Sequence, residues 1–253
     1  MKGGFKIVVP AYNAQSWIQA CVESIAIQRH HEFDCMIIND SSDDATGDVL
    51  DGLSLLKSDS RFTVVHRDQQ HGSLANYLYG FKALDAVSEP EAILVTVDGD
   101  DRLFSEEALS IVFERYKKTG CMLTYGNHIH YPTGHQSNCY DFPPEVVRHR
   151  TYRNCDRYIS SHLRTFRAKL WNNIRDEDLQ NQDGNYYSLS ADVAVMIPML
   201  EMADGRYEFI REILYLYNVA NPLGWMQGDK VALVTASKRV LERIQSRPTY
   251  DPL

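Results

Sequence analysis

The stretch VTVDGDDRLF, residues 95–104, ends a run of strand-forming residues with three carboxylates in four positions. Carboxylates packed so closely raise each other's pKa unless a positive charge lies between them. Mg2+ or Mn2+ would supply that charge, because these ions prefer oxygen ligands and bridge carboxylates to substrate phosphates. Asp98 and Asp100 are predicted to share one face of the extended segment, with Asp101 supplying or orienting a further oxygen. A turn neutralised by Arg102 is the alternative.

Apolar runs alternate with amphipathic segments along the first half of the chain. Strands are predicted in FKIVVP, FDCMIIND, RFTVVH, EAILVTV and CMLTYGNHIHY. Helices are predicted between them, with Ser16 capping the first and Gly72 and Ser73 beginning the third. This alternation predicts an α/β protein with a mostly parallel, doubly wound sheet flanked by helices.

The second half of the chain has a weaker pattern. From Pro132 to Asn185 the sequence predicts long loops and short helices, because this stretch is rich in Pro, Tyr, Asn and Arg. A helix in SADVAVMIPMLEMA, a strand in EILYLYNV and a terminal helix in DKVALVTASKRVLERI are predicted to follow.

Polar clusters follow the first four predicted strands. They are AYN, NDSSDD, DQQHG and DGDD. Parallel sheets of this class bind ligands at the carboxyl ends of their strands. Because four clusters fall on that one edge, a metal site in DGDD is favoured over an isolated turn.

The motifs VVPAYN, IINDSSDDAT, GSLANYLYGF and VTVDGDD occur in this order. Together they resemble the nucleotide-sugar half of the family 2 inverting glycosyltransferases with a GT-A fold. The resemblance covers roughly residues 5–130, and SADVAVMIPML extends it weakly. It implies one GT-A domain over residues 1–253, with a nucleotide-sugar-binding half at 1–130 and a loop-rich acceptor-binding half at 131–253. It also implies sugar transfer to an acceptor hydroxyl with Mn2+ or Mg2+ as cofactor.

The resemblance assigns roles to individual residues. DGDD looks like the family's D-x-D element, in which Asp100 and Asp101 hold the metal and Asp98 lies near the ribose and sugar. Asp40 is expected to recognise the base, because a carboxylate accepts a hydrogen bond from N3–H of uracil and so favours UDP donors. Helix capping near Asp40 is compatible with that role. The other predicted donor-binding residues are Pro10, Ala11, Tyr12, Asn13, Ser42, Gly72, Asn76 and Gly99.

Two departures from the family pattern concern the residue that contacts the diphosphate and the residue that acts as catalytic base. GSLANYLYG lacks an Arg that the family often places before the residue corresponding to Asn76, so Arg164 or Arg167 is predicted to contact the diphosphate. The family's acidic dipeptide before an apolar helix is represented by Ala191 and Asp192. Asp192 is the predicted catalytic base for the acceptor hydroxyl. An acid stabilised by the helix macrodipole is the alternative.

Histidines offer a further set of ligands. His128 and His130 share one face of a predicted strand with His135 nearby, so zinc is conceivable, although surface strand histidines are commoner. Some relatives take a third metal ligand from a late His, and the last His here is His162. Either His162 is that ligand, or carboxylates and water suffice.

Composition narrows the class of protein. Hydrophobic content of 44% and charged content of 24% are typical of a soluble globular protein. Five cysteines without a C-x-x-C pair indicate free thiols in a reducing compartment. No stretch approaches the roughly 18 apolar residues of a membrane span, and MKGGFKIVVP has no signal-peptide pattern. A cytoplasmic location is therefore expected.

The net charge of −8 is distributed unevenly. Residues 148–175 hold eight Arg or Lys and one acid, a local charge of +7 that leaves −15 for the rest. Interleaved aromatic residues make this segment resemble a surface for polyanions, so a glycan or a hydroxylated DNA base is a candidate acceptor. A solvated basic face that pairs with the acidic remainder is the alternative, and a neutral saccharide is equally open.

Two other functions compete with glycosyl transfer. Nucleotidyl transfer to a sugar phosphate uses a similar sheet and a metal, but AYNAQSW lacks the Gly-rich basic loop that this class carries after its first strand. A non-catalytic nucleotide-sugar-binding module would keep Asp40 and DGDD and need no base. Release of free UDP from UDP-sugars separates the enzyme from the module.

Overall fold

An eight-stranded sheet forms the centre of the molecule. The computed structural model describes residues 4–155, 159–223 and 230–253. The strands are β1 (Phe5–Ala11), β2 (Phe33–Asn39), β3 (Phe62–His66), β4 (Ile93–Thr96), β5 (Arg102–Leu103), β6 (Leu123–Tyr131), β7 (Ser161–Arg167) and β8 (Tyr207–Asn218). The helices are α1 (Ile18–Ala26), α2 (Thr46–Gly52), α3 (Ser54–Ser58), α4 (Ser73–Ala83), α5 (Ala108–Thr119), α6 (Pro144–His149), α7 (Ala168–Trp171), α8 (Ala191–Ala203) and α9 (Lys230–Ser246).

The strand order in the sheet is β3-β2-β1-β4-β7-β6-β8-β5. The pairs β1–β2, β1–β4, β2–β3 and β6–β8 are parallel. Strand β7 runs antiparallel to β4 and β6, and β5 runs antiparallel to β8. The predicted α/β class with a mostly parallel sheet is confirmed.

Strand β7 lies in the middle of the sheet, within the segment predicted to form loops and short helices. That prediction is wrong for Ser161–Arg167. Leu163 packs into the core on one face of the sheet and Phe166 into the core on the other. Two arginines obscure this alternation in the sequence. Arg164 is partly buried and pairs with Asp192, and Arg167 is buried and pairs with Glu91.

The two faces of the sheet carry separate hydrophobic cores, as expected for parallel strands that are buried on both sides. Ile7 and Val9 of β1 pack with residues of α1 and α5, whereas Val8 packs with residues of α4, α7, α8 and α9. The sheet is therefore supported from both faces, and the ends of its strands have fixed positions.

The first residues of the helices agree only in part with those predicted from the sequence. Gly72 precedes α4 with φ of 84°, a conformation that glycine adopts without strain, as predicted. Ser16 does not cap α1: the helix begins after Trp17, whose backbone N–H donates to the carbonyl of Ala14. The prediction failed because the chain enters this helix through a turn at Ala14. None of the helices in the described part of the chain has the length and apolar character that a bilayer span requires.

Candidate active site

A cavity of about 990 Å³ opens beside the carboxyl ends of the parallel strands. Its volume lies within the range of small-molecule binding sites. The predicted site residues that line it are Pro10, Ala11, Tyr12, Asp40, Gly72, Asp98, Gly99, Asp100, Asp101, His162, Arg164 and Asp192. Three other predicted residues, Asn13, Ser42 and Asn76, are not among its lining residues.

Asn13 and Ser42 join the loops that follow β1 and β2. The backbone N–H of Asn13 donates to Ser42 Oγ at 3.0 Å, and Asn13 Oδ1 accepts from the N–H of Asp43 at 2.8 Å. The Tyr12 hydroxyl donates to Asp43 Oδ2 at 3.0 Å. These bonds fix the two loops to each other and hold Tyr12 at the edge of the cavity. Direct donor contacts from Asn13 and Ser42 stay a prediction.

Asn76 lies in α4, where its side chain is fully buried. Its side-chain oxygen and nitrogen make no hydrogen bond within the described part of the chain. A direct contact from Asn76 to the donor also stays a prediction.

Asp40 follows β2 and is only 3% exposed. Its Oδ1 accepts a hydrogen bond from the backbone N–H of His71 at 2.9 Å, and its Oδ2 accepts one from Gly72 at 2.8 Å. The carboxylate thus ties the loop before α4 to the end of β2. Each carboxylate oxygen can accept a further hydrogen bond, so this structural role leaves capacity for a ligand.

The three carboxylates of DGDD each have a distinct partner. The Tyr77 hydroxyl donates to Asp98 Oδ1 at 2.7 Å. The Asn221 side chain donates to Asp100 Oδ2 at 2.7 Å, and the backbone N–H of Asn218 donates to Asp101 Oδ1 at 2.6 Å. These contacts attach the turn after β4 to α4 and to the end of β8.

Burial and mutual repulsion dominate the electrostatics of this group. Burial, with the neighbouring charge of Asp98, raises the pKa of Asp100 to about 6. Burial and the charges of Asp100 and Asp98 hold the pKa of Asp101 well above its usual value. Asp101 is 2% exposed, and its Oδ2 makes no hydrogen bond of good geometry with a described residue. A cation at this position would compensate both the charge and the unpaired oxygen.

Gly99 holds the carboxylate turn against β1. Its backbone N–H donates to the carbonyl of Pro10 at 3.0 Å. A Cβ at this position would lie 2.7 Å from the Cβ of Ala11 and 2.9 Å from the Pro10 oxygen. No side chain fits there unless β1 and the turn move apart.

The predicted metal ligands do not form a complete shell. Within residues 4–155, 159–223 and 230–253, no three His, Cys, Asp or Glu side chains converge on one point that could hold an ion. Asp100, Asp101 and His162 are therefore not a ready three-ligand set. His162 is 6% exposed and stacks on Tyr215 with 4.3 Å between ring centroids. Carboxylates with water and phosphate oxygens, the second alternative from the sequence, fit a hard divalent ion here.

Asp192 lies in the first turn of α8. Its Oδ2 accepts a hydrogen bond from Arg164 Nη1 at 3.1 Å, and its Oδ1 accepts one from the N–H of Val193 at 3.0 Å. The bond from Arg164 links α8 to β7 at the lining of the cavity. Arg167, the other arginine considered for the diphosphate, does not line the cavity but packs over Tyr116.

Three residues that contact the DGDD carboxylates were not predicted from the sequence. Two of them lie at the end of β8 and in the loop that follows it, and the third lies in α4. Asn218 and Asn221 line the cavity and contact Asp101 and Asp100, and Tyr77 contacts Asp98. A signal was present, because NVANPLG is a polar cluster after a predicted strand, as in the four clusters that were recognised. Its relevance depends on β8 running parallel to β6, which the local sequence does not reveal.

The basic residues of 148–175 mostly have acidic or carbonyl partners. Arg153 is 5% exposed and donates to both carboxylate oxygens of the fully buried Glu201, at 2.5 and 2.9 Å. Arg150 donates to the carbonyls of Glu201 and Tyr250. Further ion pairs join Lys169 to Glu91 and Arg175 to Asp178, at 3.0 and 2.8 Å. The structure favours the alternative of pairing with acidic residues. Asp156, Arg157 and Tyr158 lie outside the described residues.

A model of the family described as Glycosyl transferase family 2 matches residues 6–174. The chain is 26% identical over 125 residues to Glycosyltransferase GlyG of Streptococcus pneumoniae, covering 49% of this chain and 39% of that protein. It is 28% identical over 202 residues to the uncharacterized glycosyltransferase EpsJ of Bacillus subtilis, covering 73% of this chain and 55% of that protein. The chain thus spans roughly half the length of these relatives.

Solved structures share the fold at low sequence identity. A crystal structure of S. aureus TarS in complex with UDP-GlcNAc superposes with a TM-score of 0.66 and 16% identity, covering 98% of this chain and 68% of that chain. The mannosyltransferase PcManGT from Pyrobaculum calidifontis, in complex with GDP-Man and Mn2+, gives a TM-score of 0.61 and 13% identity, covering 99% of this chain and 66% of that chain. These neighbours have the GT-A fold, which confirms the predicted fold family.

Proposed function

The chain belongs to glycosyl transferase family 2, and from that premise we propose that it transfers a sugar from a UDP-sugar to a hydroxyl group of a glycan, with inversion at the anomeric carbon. One observation carries the proposal: Asp40, the DGDD carboxylates and Asp192 all line one cavity. Residues that can bind the nucleobase, neutralise the diphosphate and remove the acceptor proton therefore surround one bound donor.

The donor base is assigned to the side of the cavity near Asp40 and Tyr12. Asp40 keeps lone pairs for N3–H of uracil beyond its two backbone hydrogen bonds. The Tyr12 ring is held in place through its hydroxyl and can stack on the base. The UDP-GlcNAc complex of TarS supports the choice of uridine.

The diphosphate is assigned to the side of the cavity near DGDD. Asp100, with an oxygen from Asp101, would hold Mn2+ or Mg2+, and the bound ion would act as a Lewis acid toward the leaving diphosphate. Asn221 orients Asp100 through its hydrogen bond, and Tyr77 orients Asp98 toward the ribose and sugar. The Mn2+ complex of PcManGT supports a divalent ion in this fold.

Asp192 is assigned as the base that takes the proton from the acceptor hydroxyl. Its two oxygens each accept one hydrogen bond, from Arg164 and from the backbone of α8, and each keeps a lone pair that can accept from an incoming hydroxyl. Attack of that hydroxyl on the anomeric carbon forms the new glycosidic bond, breaks the bond to the diphosphate and passes the proton to Asp192. Arg164 lines the same cavity, and its guanidinium is assigned to the diphosphate because arginine binds phosphate groups well.

A screen of UDP release tests the proposal. The protein is incubated with Mn2+ and a panel of UDP-sugars, with and without glycan acceptors, and GDP-mannose serves as the comparison donor. We expect UDP release from at least one UDP-sugar, stimulated by an acceptor and abolished by EDTA. Donor binding without release would indicate a non-catalytic module, and formation of pyrophosphate from UTP and a sugar phosphate would indicate a nucleotidyltransferase.

A further inference from the structure

Strand β6 carries a pair of histidines that the proposed transfer reaction does not use. His128 and His130 are two residues apart, lie on the same face of the strand and line the cavity. Their Nε2 atoms are 3.1 Å apart, and both side chains are partly exposed. Two imidazole nitrogens therefore meet at an accessible wall of the cavity.

The spacing of the two nitrogens fits a metal ion. Two ligands at zinc–nitrogen bond lengths of about 2.0–2.1 Å and a tetrahedral angle lie about 3.3 Å apart. The observed 3.1 Å is close to that separation. In the metal-free protein the same spacing allows one imidazole to donate its Nε2–H to the other. Binding of an ion would shift that imidazole to its other tautomer, with the proton moved to Nδ1 by exchange with water, and leave both Nε2 lone pairs on the metal.

The surroundings orient His128 as a ligand. Ser161 Oγ lies 3.0 Å from His128 Nδ1, so the hydroxyl can accept the Nδ1–H and leave Nε2 with its lone pair. Histidines that bind metals typically have their other nitrogen held in this way. Arg164 is a nearby cation, and its ion pair with Asp192 at 3.1 Å offsets part of its charge.

The ligand chemistry differs from that of DGDD. Imidazole nitrogens select borderline ions such as Zn2+, whereas carboxylates and water suit Mg2+ and Mn2+. The Tyr217 ring contacts both histidine rings, at centroid distances of 5.2 and 5.8 Å. Burial raises the pKa of Tyr217, and the charges of the DGDD carboxylates raise it further.

We propose that His128 and His130 form a binding site for Zn2+ or a similar borderline transition-metal ion, separate from the carboxylate site, with water completing the coordination. The site goes beyond the proposed transfer reaction and needs neither donor nor acceptor. An ion held there occupies the cavity wall formed by β6.

Calorimetric titration with zinc chloride tests the proposal. The proteins compared are the wild type, His128→Gln, His130→Gln, the exposed-histidine control His149→Gln and the carboxylate control Asp100→Asn. We expect the wild type to bind one zinc ion per chain at a saturable site. Each of the two β6 variants should bind zinc at least about ten-fold more weakly, because a ligand is lost. Both controls should bind as the wild type does.

The outcomes that overturn the proposal are distinct from failure of the transferase assignment. Absence of saturable zinc binding by the wild type overturns it, and so does wild-type affinity in both β6 variants. Loss of zinc binding in Asp100→Asn alone would assign the ion to the carboxylates and also overturns it. Thermal melting checks that each variant is folded, and His130→Gln decides the matter if the more buried His128→Gln does not fold.

Discussion

The raised pKa of Asp100 shows that negative charge is unfavourable within the DGDD carboxylate group. Its pKa of about 6 exceeds the ordinary 3.8, because burial and Asp98 disfavour the charged form. The native state therefore binds this proton more tightly than the unfolded chain, and the free energy of unfolding falls as pH rises from about 4 to about 6. We predict that Asp100→Asn raises the free energy of unfolding of the metal-free protein at about pH 8, by up to about 3 kcal/mol.

Urea unfolding in EDTA below about pH 4 and at about pH 8 measures this effect, which should appear only at the higher pH. Asp59→Asn is the matched control, because hydrogen bonds from Arg61 hold the pKa of Asp59 below its usual value. That variant should lose stability at the higher pH. If Asp100→Asn is no more stable than the wild type at about pH 8, the carboxylate group is not strained without a cation.

The variant Asp192→Asn distinguishes two roles for Asp192: a catalytic base, or an acid that only interacts with the helix macrodipole. The amide keeps the shape of the side chain but cannot accept the proton, so turnover should fall by roughly 10²–10⁴-fold while UDP affinity is retained. Asp48→Asn, which removes another acid from the first turn of a helix, is the control and should leave turnover unchanged. A loss of about 0.3–1 kcal/mol of stability with most activity retained would instead assign Asp192 to the helix macrodipole.

The residues closest to the strand ends were predictable, and their partners were not. Asp40 and DGDD directly follow strands whose pattern is local, so the sequence predicted both at one sheet edge. The Arg164–Asp192 and Asn221–Asp100 contacts join segments 28 and 121 residues apart. Such contacts follow from the position of β7 and β8 in the sheet, which no local pattern encodes.

At the scale of elements, the contact of the carboxylate turn with β1 is the most sensitive junction. We predict that Gly99→Ala destabilises the protein by about 1–3 kcal/mol, because its Cβ would meet the backbone and side chain of Ala11. Donor affinity should fall as well, since DGDD moves away from Asp40. Chemical unfolding and UDP titration measure the two effects.

Gly52→Ala is the control for Gly99→Ala. Gly52 is the last residue of α2, and a Cβ there meets no atom within 4 Å. That variant should be as stable as the wild type or slightly more stable. Equal behaviour of the two alanine variants would mean that β1 and the carboxylate turn separate without cost.

Strand β7 marks the limit of prediction from periodicity. Its sequence SHLRTFR places two arginines in a central strand, and a charged residue in such a strand argues against burial unless it is paired. The acidic partners come from α8 and from the segment before β4. Ion pairs that form only in the folded protein therefore allow a strand here, whereas the local sequence pattern predicts a loop.

At the scale of the whole molecule, the basic residues of 148–175 join the C-terminal part of the chain to α8. Arg153 donates to Glu201 and to the carbonyls of Ile244, Arg247 and Pro248. We predict that Arg153→Ala costs about 3–5 kcal/mol of stability, because it leaves the Glu201 carboxylate buried without its cation. Chemical unfolding measures the loss.

Arg148→Ala, at an exposed position of α6, is the control for charge alone. It should change the free energy of unfolding by no more than about 0.5 kcal/mol. Wild-type stability in Arg153→Ala would contradict the role of the buried ion pair and reopen the interpretation of this segment as a surface for ligands.

Titration of UDP with and without Mn2+, into the wild type and into Asp100→Asn, probes the donor site by itself, because it needs no acceptor. A nucleotide-sugar site that spans Asp40 and DGDD predicts saturable UDP binding by the wild type, strengthened by Mn2+. It also predicts that Mn2+ gives Asp100→Asn no such gain. Absence of UDP binding by the wild type, or the same gain from Mn2+ in both proteins, would contradict the claim.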